Sequence, residues 1–259
     1  MKAEYVQHWG DDLIVANSAR VSFDKQSEWH EEVFGSEDAA IEYAEKVGGT
    51  VNYDHIYSDR WFGGYPVVHL AEKDRKLVNF LAREGHTSTF EHMGATLRLK
   101  VPIFIARQIQ RHRTFSYNEI SRRYVDNEPE FFWPDKWRKR AENVKQGSSD
   151  EEIDVLMIHQ GIYPDAEVNV RDFVEVGVDL YNKLLEEGVA PEQARMILPQ
   201  NMYTSFYMSG NLRAWSHFLS LRLDSHAQKE IQDIAQQIES ILQPLFPVSM
   251  KALREHSDD

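Results

Sequence analysis

Residues 94–101 alternate apolar and polar side chains, and this alternation constrains the fold more than any other feature of the sequence. The odd-numbered positions from 95 to 101 are apolar, and the even-numbered positions between them are polar. A period of two residues is that of a β-strand with one buried face. Pro102 ends this strand and suits the first turn of a helix, which we expect over residues 103–113.

Helical periodicity dominates the remainder of the chain. Residues 165–187 carry apolar side chains at helical spacing, which predicts a long amphipathic helix. Further helices are expected over 36–46, 67–84, 191–198, 211–222 and 225–242, strands over 11–22 and 202–208, a polar loop over 114–123 and an exposed connection over 135–152. The sequence therefore predicts an α+β fold in which helices pack around a small, mostly antiparallel sheet, as a single domain over residues 1–259 with an elaboration at about 24–66.

The composition is that of a globular protein. The 259 residues suit one large domain or two small ones, and 42% of them are hydrophobic. No run of eighteen apolar residues occurs, and the first ten residues lack the basic-then-apolar layout of a signal peptide. We therefore expect a cytoplasmic protein that does not enter a membrane.

Several classes of chemistry are excluded by residues and motifs that the sequence lacks. It contains no cysteine, which excludes disulfides, thiolate zinc sites and cysteine nucleophiles. No Gly-x-Gly-x-x-Gly, Walker or His-Glu-x-x-His motif occurs, so neither a Rossmann site nor a P-loop site is supported. We predict no metal site.

Positive charge is concentrated in one segment of an acidic chain. The net charge is −13, but residues 98–123 contain six arginines and one lysine against the single acid Glu119, a local charge of +6. Such an island favours a small anionic ligand. A solvated basic helix face is one alternative, and a nucleic-acid-binding module using residues 98–123 is another. The acidic total charge and the lack of a recognised binding fold argue against the module.

The segment from Gln108 to Tyr124 is dense in groups that recognise phosphate. Gln108 and Arg111 would share a helix face, and Arg111-His112-Arg113 would end that helix, where complementation of the helix dipole also explains them. Arginine forks can hold a phosphate while serine and glutamate bind neighbouring polar atoms. The loop that follows the helix offers Ser116, Tyr117, Asn118, Glu119, Ser121, Arg122 and Arg123.

The run Arg-His-Arg-x-x-Ser-Tyr-Asn-Glu-x-Ser-x-Arg-Tyr over residues 111–124 resembles the central motif of the flavin-dependent thymidylate synthases. The likeness covers residues 11–23 and 67–245, and its ordered blocks argue against a chance match. The other blocks are Gly85-His86 with Phe90-Glu91-His92, Pro102-Ile103-Phe104 with Arg107-Gln108, Ala194-Arg195 with Leu198-Pro199, and Asn211-Leu212-Arg213 with His217-Phe218-Leu219, Leu221-Arg222 and Ala227-Gln228.

The resemblance implies a specific reaction and assembly. It implies reductive methylation of dUMP to dTMP, with methylenetetrahydrofolate as carbon donor and FAD, reduced by NADPH, as hydride source. The unrelated classical thymidylate synthases activate uracil with a cysteine thiolate, which this chain lacks. The resemblance also implies a homotetramer with sites shared between chains. Arg213 and His217 would lie on one side of a helix and Arg222 on the opposite side, which agrees.

The resemblance also assigns residues to ligands, position by position. Arg222 matches the arginine that polarises the uracil ring, and Arg122 stands where many relatives have glycine. Ser121 is assigned to phosphate binding rather than nucleophilic attack, because only arginines and Glu119 are near it in sequence. A non-catalytic relative without flavin is the remaining alternative. The dUMP positions are Gln108, Arg111, Glu119, Ser121, Arg122, Arg123, Arg195 and Arg222, and the FAD positions are Ser88, Arg111, His112, Arg113, Glu119, Asn211, Arg213 and His217.

Overall fold

The structure, a computed structural model, describes residues 1–53, 64–121, 128–140, 148–152, 158–159, 167–168 and 170–256. The chain forms two compact units, each assembled from three separate stretches of sequence. Unit 1 comprises residues 1–4, 97–208 and 222–235, and unit 2 comprises residues 5–96, 209–221 and 236–259. No helix within the described ranges combines the length and the apolar character needed to cross a lipid bilayer.

Strands and helices are interspersed along the chain, which confirms the predicted α+β class. The prediction of one domain with an elaboration at about 24–66 stays a prediction. The strands are β1 (Lys2–Trp9), β2 (His30–Phe34), β3 (Thr50–Val51), β4 (Tyr65–His69), β5 (Gly94–Pro102), β6 (Ser116–Glu119), β7 (Arg138–Arg140), β8 (Ser148–Glu152), β9 (Ile158–His159), β10 (Glu167–Val168) and β11 (Tyr203–Asn211). The helices are α1 (Asp12–Arg20), α2 (Glu37–Val47), α3 (Glu72–Arg83), α4 (Ile103–Ile109), α5 (Val170–Glu186), α6 (Pro191–Ala194), α7 (Leu212–Arg222), α8 (Lys229–Leu242) and α9 (Pro247–Glu255), with 3₁₀ turns at Val21–Phe23, Thr87–Glu91 and Arg195–Ile197.

A four-stranded sheet in the order β1-β5-β11-β6 contains the strand that the alternating pattern predicted. β5 is more buried than predicted, since only Arg98 is exposed and only Lys100 is half-buried. Gly94 begins β5 at a point where a Cβ atom would collide with the carbonyl oxygen of Gly210 on β11. A larger residue at position 94 would therefore push these strands apart.

A second sheet in unit 2 has the order β2-β4-β3, and both of its pairings are antiparallel. α2 packs on this sheet through a small core of Ala40, Ala44 and Val67. Ser36 caps the first turn of α2, the helix predicted over 36–46, and Gly48 ends it in the left-handed conformation. The elaboration at 24–66 thus builds a small core together with β4, while its residues 54–63 lie outside the described ones.

Residues 12–20 are helical, so the strand predicted over 11–22 is wrong. The run Leu13-Ile14-Val15 favoured a strand because two of its three residues are β-branched. The Asp11 carboxylate stabilises a helix here instead, because it accepts hydrogen bonds from the backbone N–H groups of Leu13 and Ile14 at 3.0 and 3.2 Å. This N-cap satisfies donors that the first turn of α1 would otherwise leave unpaired.

Other element boundaries also differ from the predictions. The helix predicted over 67–84 begins at Glu72, because residues 65–69 form the central strand β4. The helix predicted over 103–113 ends at Ile109, so the predicted helical face shared by Gln108 and Arg111 is absent. The predicted loop 114–123 contains β6, and the predicted exposed connection 135–152 contains β7 and β8.

Helix α9, near the C-terminus, is capped by a side chain from the N-terminal region of unit 2. The buried Asp12 carboxylate accepts hydrogen bonds from the backbone N–H groups of Val248 at 2.8 Å and Ser249 at 2.9 Å. A carboxylate at a helix N-terminus satisfies unpaired donors and complements the helix dipole. One side chain therefore joins α1 to α9.

We predict that Asp12→Ala lowers the free energy of unfolding by about 2 kcal/mol, because two capping hydrogen bonds are lost. Urea titration followed by circular dichroism measures the change. Asp38→Ala is the matched control, since Asp38 is an exposed acid in the first turn of α2; its effect should stay below about 0.5 kcal/mol. Equal losses in the two variants would contradict the capping role.

Candidate active site

The turn between α4 and β6 is tied down by a half-buried tyrosine hydroxyl. The backbone N–H of His112 donates to the carbonyl oxygen of Ile109 at 3.0 Å, a short-range bond of the kind that ends a helix. The Tyr117 hydroxyl, on β6, lies 2.8 Å from the carbonyl oxygen of His112 and 3.1 Å from that of Ile109. This turn buries His112 and leaves Arg111 and Arg113 exposed.

Unit 1 gathers arginines that have no carboxylate within 4.0 Å among the described residues. Carboxylates are not scarce, because the chain contains 42 acidic residues. The uncompensated charge is therefore a property of the fold, and it is available to an anion. These arginines are Arg98, Arg107, Arg111, Arg113, Arg140, Arg195 and Arg222, whereas Arg20, Arg83, Arg138, Arg213 and Arg254 each pair with a carboxylate.

A pocket of about 720 Å³ in unit 1 is lined by three of these arginines, Arg98, Arg107 and Arg195. That volume lies in the range of small-molecule sites. The pocket also holds Lys100, whose Nζ pairs with Glu130 at 2.7 Å, whereas its three arginines make no ion pair among the described residues. Its other acids are Glu119, Glu128 and Glu192, and its hydroxyl groups are those of Ser121, Tyr203, Thr204 and Ser205.

The Glu119 carboxylate is held in this pocket by two neutral side chains. Thr204 Oγ1 donates to Oε1 of Glu119 at 2.6 Å, and Gln110 Nε2 donates to Oε2 at 2.9 Å. Glu119 therefore makes no ion pair with the arginines that line the same pocket. Both partners are uncharged, so the carboxylate keeps its full negative charge toward a ligand.

A second group in unit 1 joins the side chains of Arg222 and His112 to the backbone of Gln108. Arg222 Nε donates to His112 Nε2 at 3.0 Å, and Arg222 Nη2 donates to the carbonyl oxygen of Gln108 at 3.4 Å. His112 Nε2 must be unprotonated to accept, so neutral His112 carries its hydrogen on Nδ1. Burial lowers the pKa of Arg222 below its ordinary value, but a guanidinium group stays charged at neutral pH.

The residues assigned to dUMP are divided between these two groups. Glu119, Ser121 and Arg195 line the pocket, whereas Gln108 and Arg222 belong to the group around His112. Of these five residues only Gln108 lies on α4, and it joins the second group through its backbone carbonyl oxygen. Arg111 is exposed in the turn after α4, and Arg122 and Arg123 lie outside the described residues.

Four of the residues assigned to FAD belong to unit 2. Ser88 is exposed in the 3₁₀ turn at Thr87–Glu91, and Asn211 Oδ1 accepts a hydrogen bond from a first-turn N–H of α7 at 2.9 Å. Arg213 and His217 are exposed one turn apart on α7, and Arg213 Nη1 pairs with Glu91 at 2.6 Å. The other four, Arg111, His112, Arg113 and Glu119, belong to unit 1.

Sequence reasoning missed four residues that the structure places in the unit 1 pocket. Arg98 and Arg107 belong to the basic segment but were not assigned to a ligand. The alternating pattern of the strand could have indicated Arg98, because it places this polar side chain on the face opposite the apolar ones. Gln110 lies three residues after Arg107, which places both on one face of α4. Thr204 is 85 residues from Glu119, so only the tertiary structure reveals their contact.

An α+β chain that concentrates uncompensated arginines around a nucleotide-sized pocket has the features of a protein that binds small phosphorylated molecules. The family model described as thymidylate synthase complementing protein, Thy1, matches residues 4–248. The chain therefore belongs to this family, the flavin-dependent thymidylate synthases, which confirms the predicted family, the prediction of an enzyme and its use of a flavin.

Individual relatives support the assignment. The chain is 41% identical over 185 residues to a flavin-dependent thymidylate synthase of Thermosipho africanus, which covers 71% of this chain and 78% of the relative. It is 41% identical over 184 residues to that of Thermus thermophilus, covering 71% and 65%. The crystal structure of a UMP/dUMP methylase, PolB, from Streptomyces cacaoi bound with 5-Br dUMP superposes with a TM-score of 0.64 at 29% identity, covering 98% of this chain and 94% of that chain.

Burial raises the pKa of Tyr117 from 10.0 to about 12. A raised folded-state pKa means that the tyrosine contributes stability that is fully present below pH 10 and is lost as the pH rises through about 12. We predict that Tyr117→Phe lowers the free energy of unfolding by about 1 kcal/mol at neutral pH. The advantage of the unsubstituted chain over this variant should disappear in that alkaline window.

Urea titrations at a series of pH values measure this difference. Tyr207→Phe is the matched control, because Tyr207 is exposed on β11 and its hydroxyl has no hydrogen-bond partner among the described residues. The control should change stability by less than about 0.5 kcal/mol at every pH. A Tyr117→Phe variant with the stability of the control would show that the hydroxyl does not secure the turn.

Proposed function

We propose that this chain catalyses the reductive methylation of dUMP to dTMP, with methylenetetrahydrofolate as carbon donor and FAD, reduced by NADPH, as hydride source. The observation that carries the proposal is the unit 1 pocket, where Glu119, Ser121 and Arg195 meet arginines that lack carboxylate partners. The structural relative is a UMP/dUMP methylase bound with a brominated dUMP, and its likeness extends over nearly the whole chain.

The unit 1 pocket has the groups that a nucleoside monophosphate requires. A phosphate dianion suits guanidinium forks, and Arg107 and Arg195 provide such forks, since neither makes an ion pair among the described residues. Ser121 adds a hydroxyl donor to the phosphate. Glu119 offers carboxylate oxygens to N–H or O–H groups of the nucleoside, because Thr204 and Gln110 occupy only part of its acceptor capacity.

Each unit, taken by itself, has arginines that suit the diphosphate of FAD. In unit 2 the Arg213–Glu91 pair is exposed, so exchanging Glu91 for a diphosphate costs little. In unit 1 the turn presents Arg111 and Arg113 without carboxylate partners among the described residues. Bound and reduced, FAD supplies the hydride that completes the methyl group.

Arg222 would activate the pyrimidine electrostatically. Its Nε is engaged by His112, while Nη1 has no hydrogen-bond partner among the described residues and is available to a pyrimidine oxygen or ring nitrogen. A half-buried cation stabilises developing negative charge better than a solvated one, because less water screens it. No cysteine is present to attack the ring, so this electrostatic route takes the place of a thiolate.

We further propose a homotetramer in which each active site takes residues from more than one chain. Glu119, Ser121 and Arg195 line the pocket, whereas Arg222 contacts His112 and the backbone carbonyl oxygen of Gln108. The dUMP-assigned residues of one chain therefore fall into two separate groups. A symmetric assembly can bring one set from each chain to the same ligand.

The reaction is tested by omission. We expect dTMP to form from dUMP only when methylenetetrahydrofolate, NADPH and FAD are all supplied, and thiol-alkylating reagents should not reduce the rate, because no cysteine exists to modify. Chromatography of the products measures dTMP, and the absorbance spectrum of the protein measures bound flavin. Formation of dTMP at the full rate from flavin-free protein would contradict the proposal.

Shared sites are tested by mixing two inactive variants, Arg195→Ala and Arg222→Ala. Removing one preorganised charged contact should lower turnover roughly a hundredfold in each. If the two residues reach one ligand from different chains, random mixing leaves about one site in four intact and restores up to roughly a quarter of the activity. No recovery in mixed oligomers, whose formation is verified with differently tagged chains, would show that both residues come from one chain.

A further inference from the structure

Two anchored side chains fix the Glu119 carboxylate from opposite ends. Thr204 donates to Oε1 at 2.6 Å from β11, the neighbour of β6 in the sheet, and its side chain is only 6% exposed. Gln110 donates to Oε2 at 2.9 Å from the C-terminal cap of α4. A strand and a helix thus each hold one oxygen, which sets the plane of the carboxylate as well as its position.

This arrangement separates Glu119 from the cations around it. The same pocket contains Arg98, Arg107 and Arg195, any of which would be a natural ion-pair partner for a mobile glutamate. If Glu119 formed such an ion pair, neither its carboxylate nor the arginine would be available to the ligand. Thr204 and Gln110 engage the carboxylate through neutral groups and keep both charges available.

The hydrogen-bond capacity of Glu119 is only partly used by these two donors. An ionised carboxylate has about four acceptor positions on its two oxygens, and Thr204 and Gln110 each occupy one. Glu119 lines the pocket, so this carboxylate retains acceptor capacity at the place where a ligand would bind. Because the carboxylate is already held in one orientation, less side-chain entropy is lost when a ligand binds.

We propose that Thr204 and Gln110 are positioning residues that orient Glu119 for the nucleotide, so that their effect on binding passes entirely through that carboxylate. This inference rests on the proposed function, in which Glu119 binds dUMP. It assigns roles to two residues that carry no motif signal of their own.

The test is a double-mutant cycle with the FAD-loaded protein, measuring the Kd of dUMP by calorimetry. Thr204→Val keeps the shape of the side chain and removes its donor, so dUMP should bind about tenfold more weakly. Thr204→Ser keeps the hydroxyl and should bind dUMP within about twofold of the unsubstituted chain. In a Glu119→Ala background, Thr204→Val should cause no further loss.

Gln110→Met is a second test of the same proposal, because it removes the other donor while keeping the length of the side chain. It can be used if Thr204→Val does not fold. Its loss should also vanish in the Glu119→Ala background, and the KM of NADPH should stay unchanged in the Thr204 and Gln110 variants that keep Glu119. Losses that persist without Glu119, or a Thr204→Ser variant as weak as Thr204→Val, would overturn the positioning role. Unaltered binding by both Thr204→Val and Gln110→Met would overturn it as well, whereas failure of the unsubstituted chain to bind dUMP would overturn the proposed function itself.

Discussion

Uncompensated positive charge in unit 1 is the constraint on which the rest of the site depends. Guanidinium groups at close range repel one another, and this repulsion grows wherever burial reduces screening by water. An acidic chain could relieve it by placing carboxylates beside the arginines, as it does for Arg138 and Arg254. Arg107 and Arg195 form no such pair among the described residues, although four glutamates line the same pocket, and one of these, Glu119, is held by neutral donors. The positive charge of Arg107 and Arg195 is therefore available to a bound anion.

Local hydrogen bonds place the charged groups where they can act. The Tyr117 hydroxyl ties down the turn that exposes Arg111 and Arg113, and His112 fixes the orientation of Arg222 through its unprotonated Nε2. The Tyr117 hydroxyl and the His112 ring are neutral groups, so they help to orient the arginines without cancelling the positive charge of those arginines. Precision of placement, rather than the number of charges, is then what distinguishes the site from an ordinary basic surface.

The sequence predicted the features that depend on local periodicity or on a family motif. The alternation before Pro102 located β5 and the start of α4, and the ordered motif blocks identified the family. Predictions failed where a single capping or pairing interaction overrides residue preferences, as at Asp11, whose carboxylate makes a helix of an apparent strand. The contact of Thr204 with Glu119 joins residues 85 positions apart, and no local pattern encodes it.

The most direct test of whether these arginines bind an anion compares two ligands that differ only in the phosphate. Calorimetric titration of the FAD-loaded protein with dUMP and with deoxyuridine measures what the arginines contribute, because both ligands present the same base and sugar. Charge-assisted hydrogen bonds to a phosphate predict that dUMP binds at least about a hundredfold more tightly, and that this advantage shrinks as salt concentration rises. Equal affinities for the two ligands would contradict the account.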